Sequence, residues 1–302
     1  MGPRGLRAER AVAAEMNPRH KIVLLGPGSV GTAVVRLLAD AGHSVVGVGP
    51  PDRSSARRSG DLLGAPLVDV DSLPAADLVL LGVPDRAIHE LAAQLANTVR
   101  SGSIVCHFAG SLGIAPLHPL PEGVGRAALH PVQACPDPVT AIARLPGSAW
   151  GVTCSDDLSG WAFSLIERDL QGRPVEVAEE IRPLWHAASV ITANGVAALL
   201  AAGEAMLAAA GIADPVGVLG PLAAGAVANA REGGGGGATL TGPVVRGDVD
   251  TLRAHLEAIV RIAPGLDSAY RAVSRSIIDS ARRSRRIDAE TERVMSGLVD
   301  AP

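Results

Sequence analysis

Along its first half the chain alternates short apolar runs with longer segments of helical spacing, and then the alternation stops. Candidate strands rich in Val, Ile, Leu and Ala, bounded by Gly, Pro, Asp or Ser, fall at 22–25, 44–48, 78–83, 103–107, 126–129 and 149–153. Between them, residues 30–41, 86–99 and 158–170 place apolar side chains three and four positions apart, as in helices that bury one face. Strands apolar at consecutive positions are covered on both sides, so the pattern predicts a parallel sheet wrapped by helices. Beyond about residue 181, Ala-rich helical stretches follow one another with no convincing strand. An α/β domain is therefore expected over 20–178 and an all-α helical domain over 179–302. Residues 1–19 read as a disordered extension, or as an artefact of a start site upstream of Met16. Within the helical half, the weakly charged run 187–212 contains Ser189, Thr192, Asn194 and Glu204, and it reads as a buried core helix in preference to a membrane span. Five consecutive glycines at 233–237 predict a flexible loop, since each would cost about 1 kcal/mol in a helix relative to Ala.

The first strand ends in Gly26-Pro27-Gly28-Ser29-Val30-Gly31, a G-x-G-x-x-G run between a strand and a helix. In a Rossmann-type domain the first glycine allows a tight turn, the second the approach of a pyrophosphate, and the third close packing of helix on strand. The phosphate charge then sits at the helix N-terminus. After the second strand come Asp52, Arg53, Ser54, Ser55, Ala56, Arg57 and Arg58. An acidic residue at this place bonds the ribose hydroxyls of NAD, and Arg with Ser receives the 2′-phosphate of NADP. Arg53, Ser54 and Arg57 favour NADP, with Asp52 the alternative contact for NAD. Val83 and Pro84 after one strand, and Ala109 and Gly110 after the next, lie at carboxyl ends where such sheets bind ligands.

Composition narrows the partner. The chain has 302 residues, enough for two domains, and only 2% aromatic residues among 47% hydrophobic ones, so Ala, Val, Leu and Ile fill the cores. A formal net charge of −4 gives no electrostatic case for nucleic acid or an anionic membrane and leaves a small molecule as the expected ligand. Cys106, Cys135 and Cys154 have neither disulfide-framework nor zinc-site spacing, which fits a reducing cytoplasm and no metal.

Three polar clusters could supply reacting groups. His130 and Gln133 follow a strand end, where His130 could give a proton near neutral pH and Gln133 bond a carbonyl. His186, Ser189 and Asn194 share the long apolar helix, His186 and Asn194 standing about 80° apart around its axis. Thr241 and Arg246 lie in Thr241-Gly-Pro-Val-Val-Arg246-Gly-Asp248, where Arg246 could clamp a carboxylate.

Together, Gly26 to Gly31, Val83-Pro84-Asp85, His107 with Gly110, His130 to Gln133, His186, Asn194 and Thr241 to Asp248 resemble Rossmann-like proteins that carry the helical domain of unknown function 2520. These are relatives of the ketopantoate reductase and 6-phosphogluconate dehydrogenase group. The resemblance implies NADP on the first domain, a helical domain that closes over the site and forms a homodimer, and reduction of a 2-oxoacid. Ala109 stands where that family usually has Ser and Cys135 where it has Phe. Ketopantoate reductases use a helix Lys as proton donor, but the chain's only Lys is Lys21 at the start of the first strand, so His186 or His130 would take that part. The expected activity is NADPH-dependent reduction of a small carboxylated carbonyl compound; a pyrroline-carboxylate-type imine reductase and a non-catalytic NADPH sensor are the alternatives.

Overall fold

Alternate residues of the central strands enter two different cores. Ile22, Leu24, Leu78, Leu80 and Cys106 join one apolar cluster, while Val23, Leu25, Val79, Leu81 and Val105 join another on the opposite side. A sheet buried on both faces needs apolar residues at every position, which explains the consecutive runs. In this computed structural model, which describes residues 19–50 and 53–301, the strands are β1 (Lys21–Leu25), β2 (Ser44–Gly49), β3 (Leu78–Leu81), β4 (Ile104–His107), β5 (Gly125–Pro131), β6 (Ala149–Cys154) and β7 (Arg173–Glu176). The expectations for residues 1–18, including the start at Met16, and for Asp52 lie outside the described residues.

The sheet order is β2-β1-β3-β4-β5-β6-β7. Strands β1 to β5 are parallel, β6 runs antiparallel to β5, and β7 runs parallel to β6. The chain leaves β1 toward β2 and returns on its other side at β3, so a crevice opens beyond the carboxyl ends of β1 and β3. Helix α1 (Ser29–Asp40) packs Ala33, Val34, Val35 and Leu38 on one face. Helices α2 (Ser54–Leu63) and α3 (Ile88–Leu95) follow β2 and β3, with Ile88, Ala92 and Leu95 of α3 on the other face.

Several boundaries differ from the sequence reading. Strand β3 stops at Leu81, because Gly82 turns against the Gly26 carbonyl, and β5 runs on to Pro131, which puts His130 inside the strand opposite Gly151. Two elements went unread. Helix α4 (Pro138–Arg144) is started by Asp137, whose carboxylate accepts from the Thr140 amide at 2.8 Å and the Thr140 hydroxyl at 2.6 Å. Strand β7 is short and mostly exposed, and so lacks an apolar signature. Helix α5 (Ser159–Ser164) covers the first part of the predicted 158–170 segment, and the chain widens into a π turn over Leu165–Asp169.

The chain divides into two compact units, Met1–Val190 and Ile191–Pro302. Helix α6 (Arg182–Ala209) runs through the division, and α7 (Pro215–Glu232), α8 (Gly236–Thr239), α9 (Val249–Ile262), α10 (Asp267–Arg283) and α11 (Ala289–Asp300) follow. Leu252, Leu256, Ile278, Ala281, Met295 and Val299 make the core of the second unit. The long apolar run is a helix as expected, but the expectation that it is buried is overturned. Of α6 only Arg182 is buried, and Ile191 is 73% and Leu184 69% exposed. Its apolar residues are spread around the axis with no polar side, a pattern that asks for cover all round, and the described residues do not supply it. It is long and apolar enough to cross a membrane by length and composition. The glycine run is also more ordered than predicted. Gly233 and Gly235 donate back to the carbonyls of Asn229 and Ala230, ending α7, and Gly236 already opens α8.

Candidate cofactor and active site

The three glycines of the first loop are required by three different contacts. Gly26 has φ +69°, and a β-carbon there would overlap Val83. A β-carbon on Gly31 would stand 3.0 Å from the Leu24 side chain, so helix α1 lies as close to β1 as the backbone permits. On Gly28 the nearest atom would be the Gly82 carbonyl oxygen at 3.6 Å, an ordinary contact. Gly28 is thus small toward the cavity, and not because the chain fills the space. It also precedes the first turn of α1, where no side chain caps the helix and which itself carries no acidic residue. That donor set fits a pyrophosphate.

Two cavities meet at this turn. The larger, about 750 Å³, is lined by Gly26, Pro27 and Gly28 together with Arg53, Ser55 and Arg86. Val83, Pro84 and Glu90 also face it. The smaller, about 220 Å³, is lined by residues 28–31, Val83, Asp85, Phe108 and Ala109. Of the residues expected to take a 2′-phosphate, Arg53 lines the larger cavity; Ser54 and Arg57 are not among its lining residues, and Ser55 and Arg86, which were not named, are. Arg53 directly precedes α2, so a group beside it also meets the amino end of that helix.

Past Ala109 the loop runs against two histidines. A β-carbon on Gly110 would overlap His186 Nδ1 and come within 2.8 Å of His130 Nε2. The two imidazoles lie edge to face with centroids 5.3 Å apart. His130 Nδ1 accepts a hydrogen bond from Trp185 Nε1 at 3.1 Å, and His186 Nδ1 is buried without a partner. Burial, with the neighbouring His186 and Arg182, pushes the pKa of His130 down to about 4. It is therefore neutral near pH 7, contrary to the expectation of an imidazolium ready to give a proton.

The framework beneath the pair is polar. Arg182 is fully buried; its Nε donates to Thr153 Oγ1 at 2.7 Å, and Nη2 to the carbonyls of Ala128 at 2.5 Å and Gly151 at 3.1 Å. Burial lowers its pKa to about 10, still far above neutrality. These bonds fix the first turn of α6 on β5 and β6 and so place Trp185 and His186. His107, wholly buried at the end of β4, accepts from the Ala109 amide at 3.2 Å through Nδ1, so its Nε2–H donates to the Gly113 carbonyl at 2.8 Å. The Glu179 carboxylate accepts from the amides of Ile114 at 2.8 Å and Ala115 at 3.1 Å. Together they hold both ends of the loop that carries Gly110. Sequence reasoning gave no role to Trp185, Arg182 or Glu179; the signal available was Trp185 beside His186, just after an Arg, at the start of an apolar helix.

The remaining candidates are dispersed. Gln133 is engaged, its Nε2 donating to Ser148 Oγ at 3.1 Å and its Oε1 accepting from the Ala134 amide at 2.9 Å. Ser189 donates to the Trp185 carbonyl at 3.1 Å within its own helix. Asn194, Thr241 and Arg246 belong to the second unit and are exposed there. Asp248 turns to the Thr251 amide at 3.0 Å and caps α9.

A family model described as a Rossmann-like domain matches residues 8–131, and one described as a domain of unknown function, DUF2520, matches residues 148–277. No curated protein sequence matches the chain significantly. Among solved structures, BF3122 of Bacteroides fragilis, an NADP oxidoreductase by assignment, is 22% identical over 85% of this chain and 97% of its own, with a TM-score of 0.71. Protein TM1727 of Thermotoga maritima is 20% identical over 87% of this chain and 99% of its own, at 0.69. An imine reductase from Myxococcus stipitatus in complex with NADP+ is 15% identical over 86% and 94%, at 0.60. At these identities the likeness is one of fold. The chain thus joins a Rossmann-like domain, matched over residues 8–131, to a DUF2520 domain, matched over residues 148–277.

Proposed function

We propose that the chain is an NADPH-dependent reductase of a small carboxylated carbonyl compound, a 2-oxoacid of the ketopantoate type. The observation that carries this reading is the run of the two cavities: Arg53 and the start of α2 lie at one end, the uncapped start of α1 in the middle, and Ala109 at the other, where the next residue, Gly110, packs against His130 and His186. In this reading the amides of residues 29–31 hold the pyrophosphate, Arg53 with Ser55 takes the 2′-phosphate, and Phe108, Ala109 and Gly110 flank the nicotinamide end. NADPH, when bound, supplies the hydride. His130 donates a hydrogen bond to the substrate oxygen, and His186 provides the proton that the product alcohol needs.

Loss of NADPH absorbance over a panel of 2-oxoacids and cyclic imines tests the reading. Turnover of 2-oxoacids supports it. Turnover of imines alone would assign the pyrroline-carboxylate type of chemistry, which the fold likeness to an imine reductase and the absence of any Lys but Lys21 support. Tight NADPH binding with turnover of neither class would favour the sensor.

The exposed faces of α6 and α7 are read as the contact with a second copy of the chain. Leu184, Ile191, Leu199, Val216 and Leu222 are each half exposed or more, which water does not favour. Ser189, Thr192, Asn194 and Glu204 recur along α6 and would be costly in hydrocarbon, whereas a protein face can bond them. A two-fold pairing covers both copies at once. The three unpaired thiols suit the cytoplasm, the compartment proposed for it.

A further inference from the structure

The bond from Trp185 to His130 decides which imidazole nitrogen carries the proton. An indole nitrogen can only donate. His130 Nδ1, 3.1 Å from Trp185 Nε1, must accept and is therefore bare, so in the neutral ring the proton is on Nε2. We infer that Trp185 is a positioning residue that locks His130 in the Nε2–H tautomer, so that His130 meets the substrate oxygen as a neutral hydrogen-bond donor and leaves proton transfer to another group. The part that mentions substrate rests on the reductase reading; the tautomer does not.

The lock is built into the sheet. His130 on β5 and Gly151 on β6 are paired directly, and a β-carbon on Gly151 would stand 2.8 Å from the indole of Trp185. Only a residue without a side chain leaves the indole room to lie across that pair. Arg182, three residues earlier on α6, bonds β5 and β6 through Ala128, Gly151 and Thr153, so the helix start that carries Trp185 cannot swing away from His130. The other ring nitrogen is left unbonded. Nε2 is turned to Gly110, the residue after Ala109 in the smaller cavity's lining, and has no hydrogen-bond partner among the described residues.

The charged and titratable neighbours of His130 are the His186 ring across from it and the Arg182 guanidinium below, neither of which favours a second proton. The carboxylate of Glu179 is committed to the amides of residues 114 and 115. A proton on Nδ1 would lose the indole bond and add a charge beside Arg182. His186 is then the donor left at the site, with its ring held against Gly110.

Long-range proton–nitrogen NMR of the full chain with labelled histidine, the His130 signals assigned by their loss in His130→Gln, reads the tautomer directly. The wild type should show Nε2–H between about pH 5.5 and 8. Trp185→Phe, which keeps a ring and removes the donor, should give mixed tautomers and an upward shift of the His130 pKa. With an active substrate in hand, the same variant should lose up to about 100-fold in kcat and keep its NADPH affinity, a split that a general loss of structure would not give. Wild-type His130 protonated on Nδ1, or titrating near its ordinary value of about 6.5, overturns the inference. So does a Trp185→Phe spectrum identical to the wild type. If that variant does not fold, the wild-type spectrum alone decides. A reductase reading that fails for want of any substrate would leave the tautomer result standing.

Discussion

A β-carbon on Gly26 would fall on Val83, whereas one on Gly28, two residues on, would meet only the Gly82 carbonyl oxygen at 3.6 Å. The two glycines therefore fail differently. Gly26→Ala must adopt positive φ and displace Val83, and should cost about 2 kcal/mol or more of stability. Gly28→Ala should fold with an unchanged urea midpoint and lose most of its affinity for NADPH, because its methyl group stands where the pyrophosphate approaches. Urea unfolding alongside cofactor titration checks both. Full NADPH affinity in a folded Gly28→Ala would argue against phosphate at this turn.

Arg182 should matter to stability more than any charged residue on the surface. Arg182→Ala removes the bonds to Thr153, Ala128 and Gly151 and opens a cavity between α6 and the sheet, a loss of about 2–4 kcal/mol. Arg182→Lys keeps the charge but not the fork of donors and should recover only part of it. Urea midpoints at constant m measure the series. A neutral Arg182→Ala would mean that these bonds add nothing beyond what water supplies.

The buried histidines set an acid limit. Burial pushes His107 and His130 down to about 4, each against an unfolded value near 6.5. The folded state takes up these protons less readily than the unfolded chain, so stability is full above about pH 6.5 and falls as the pH drops from there toward 4. His20, lowered by burial and by His43, adds in the same sense. Thermal melting between pH 8 and 4 should show Tm falling through that window and flat above it. A Tm that rises on acidification from 6.5 would contradict the assignment of neutral, buried rings.

Much of the first unit could be read along the chain because local chemistry and tertiary structure agree there. Gly26 and Gly31 each meet the close neighbour that the motif demands, Gly28 is left open toward the cavity, and the consecutive apolar strands are covered on both faces. What escaped was non-local or weakly patterned. Strand β7 is an exposed edge, and the Asp137-Pro138 start of α4 was a capping signal left unused. The pairing of His130 with Gly151 depends on a strand register that no local pattern specifies, so Trp185 could not be connected to His130. For α6, helical type was evident from composition but its burial was not, since burial depends on what covers the helix.

Covering α6 and α7 with a second copy predicts a particle of twice 30.6 kDa by light scattering at micromolar concentration. Ile191→Glu together with Leu222→Glu should give a folded monomer, with Rossmann-domain affinity for NADPH retained. A monomeric wild type would remove the second copy as the occupant of those faces.

The proposed reductase requires the first unit to hold a 2′-phosphorylated dinucleotide, and calorimetric titration of the full chain with NADPH and NADH measures this. Arg53 lines the larger cavity, and charge-assisted bonds from it to a 2′-phosphate would be worth about 1.5–3 kcal/mol, so NADPH should bind at least about tenfold more tightly. Arg53→Ala should bring the two affinities together by weakening NADPH alone. Equal affinities in the wild type, a preference for NADH, or no binding of either would remove the NADPH-dependent reductase.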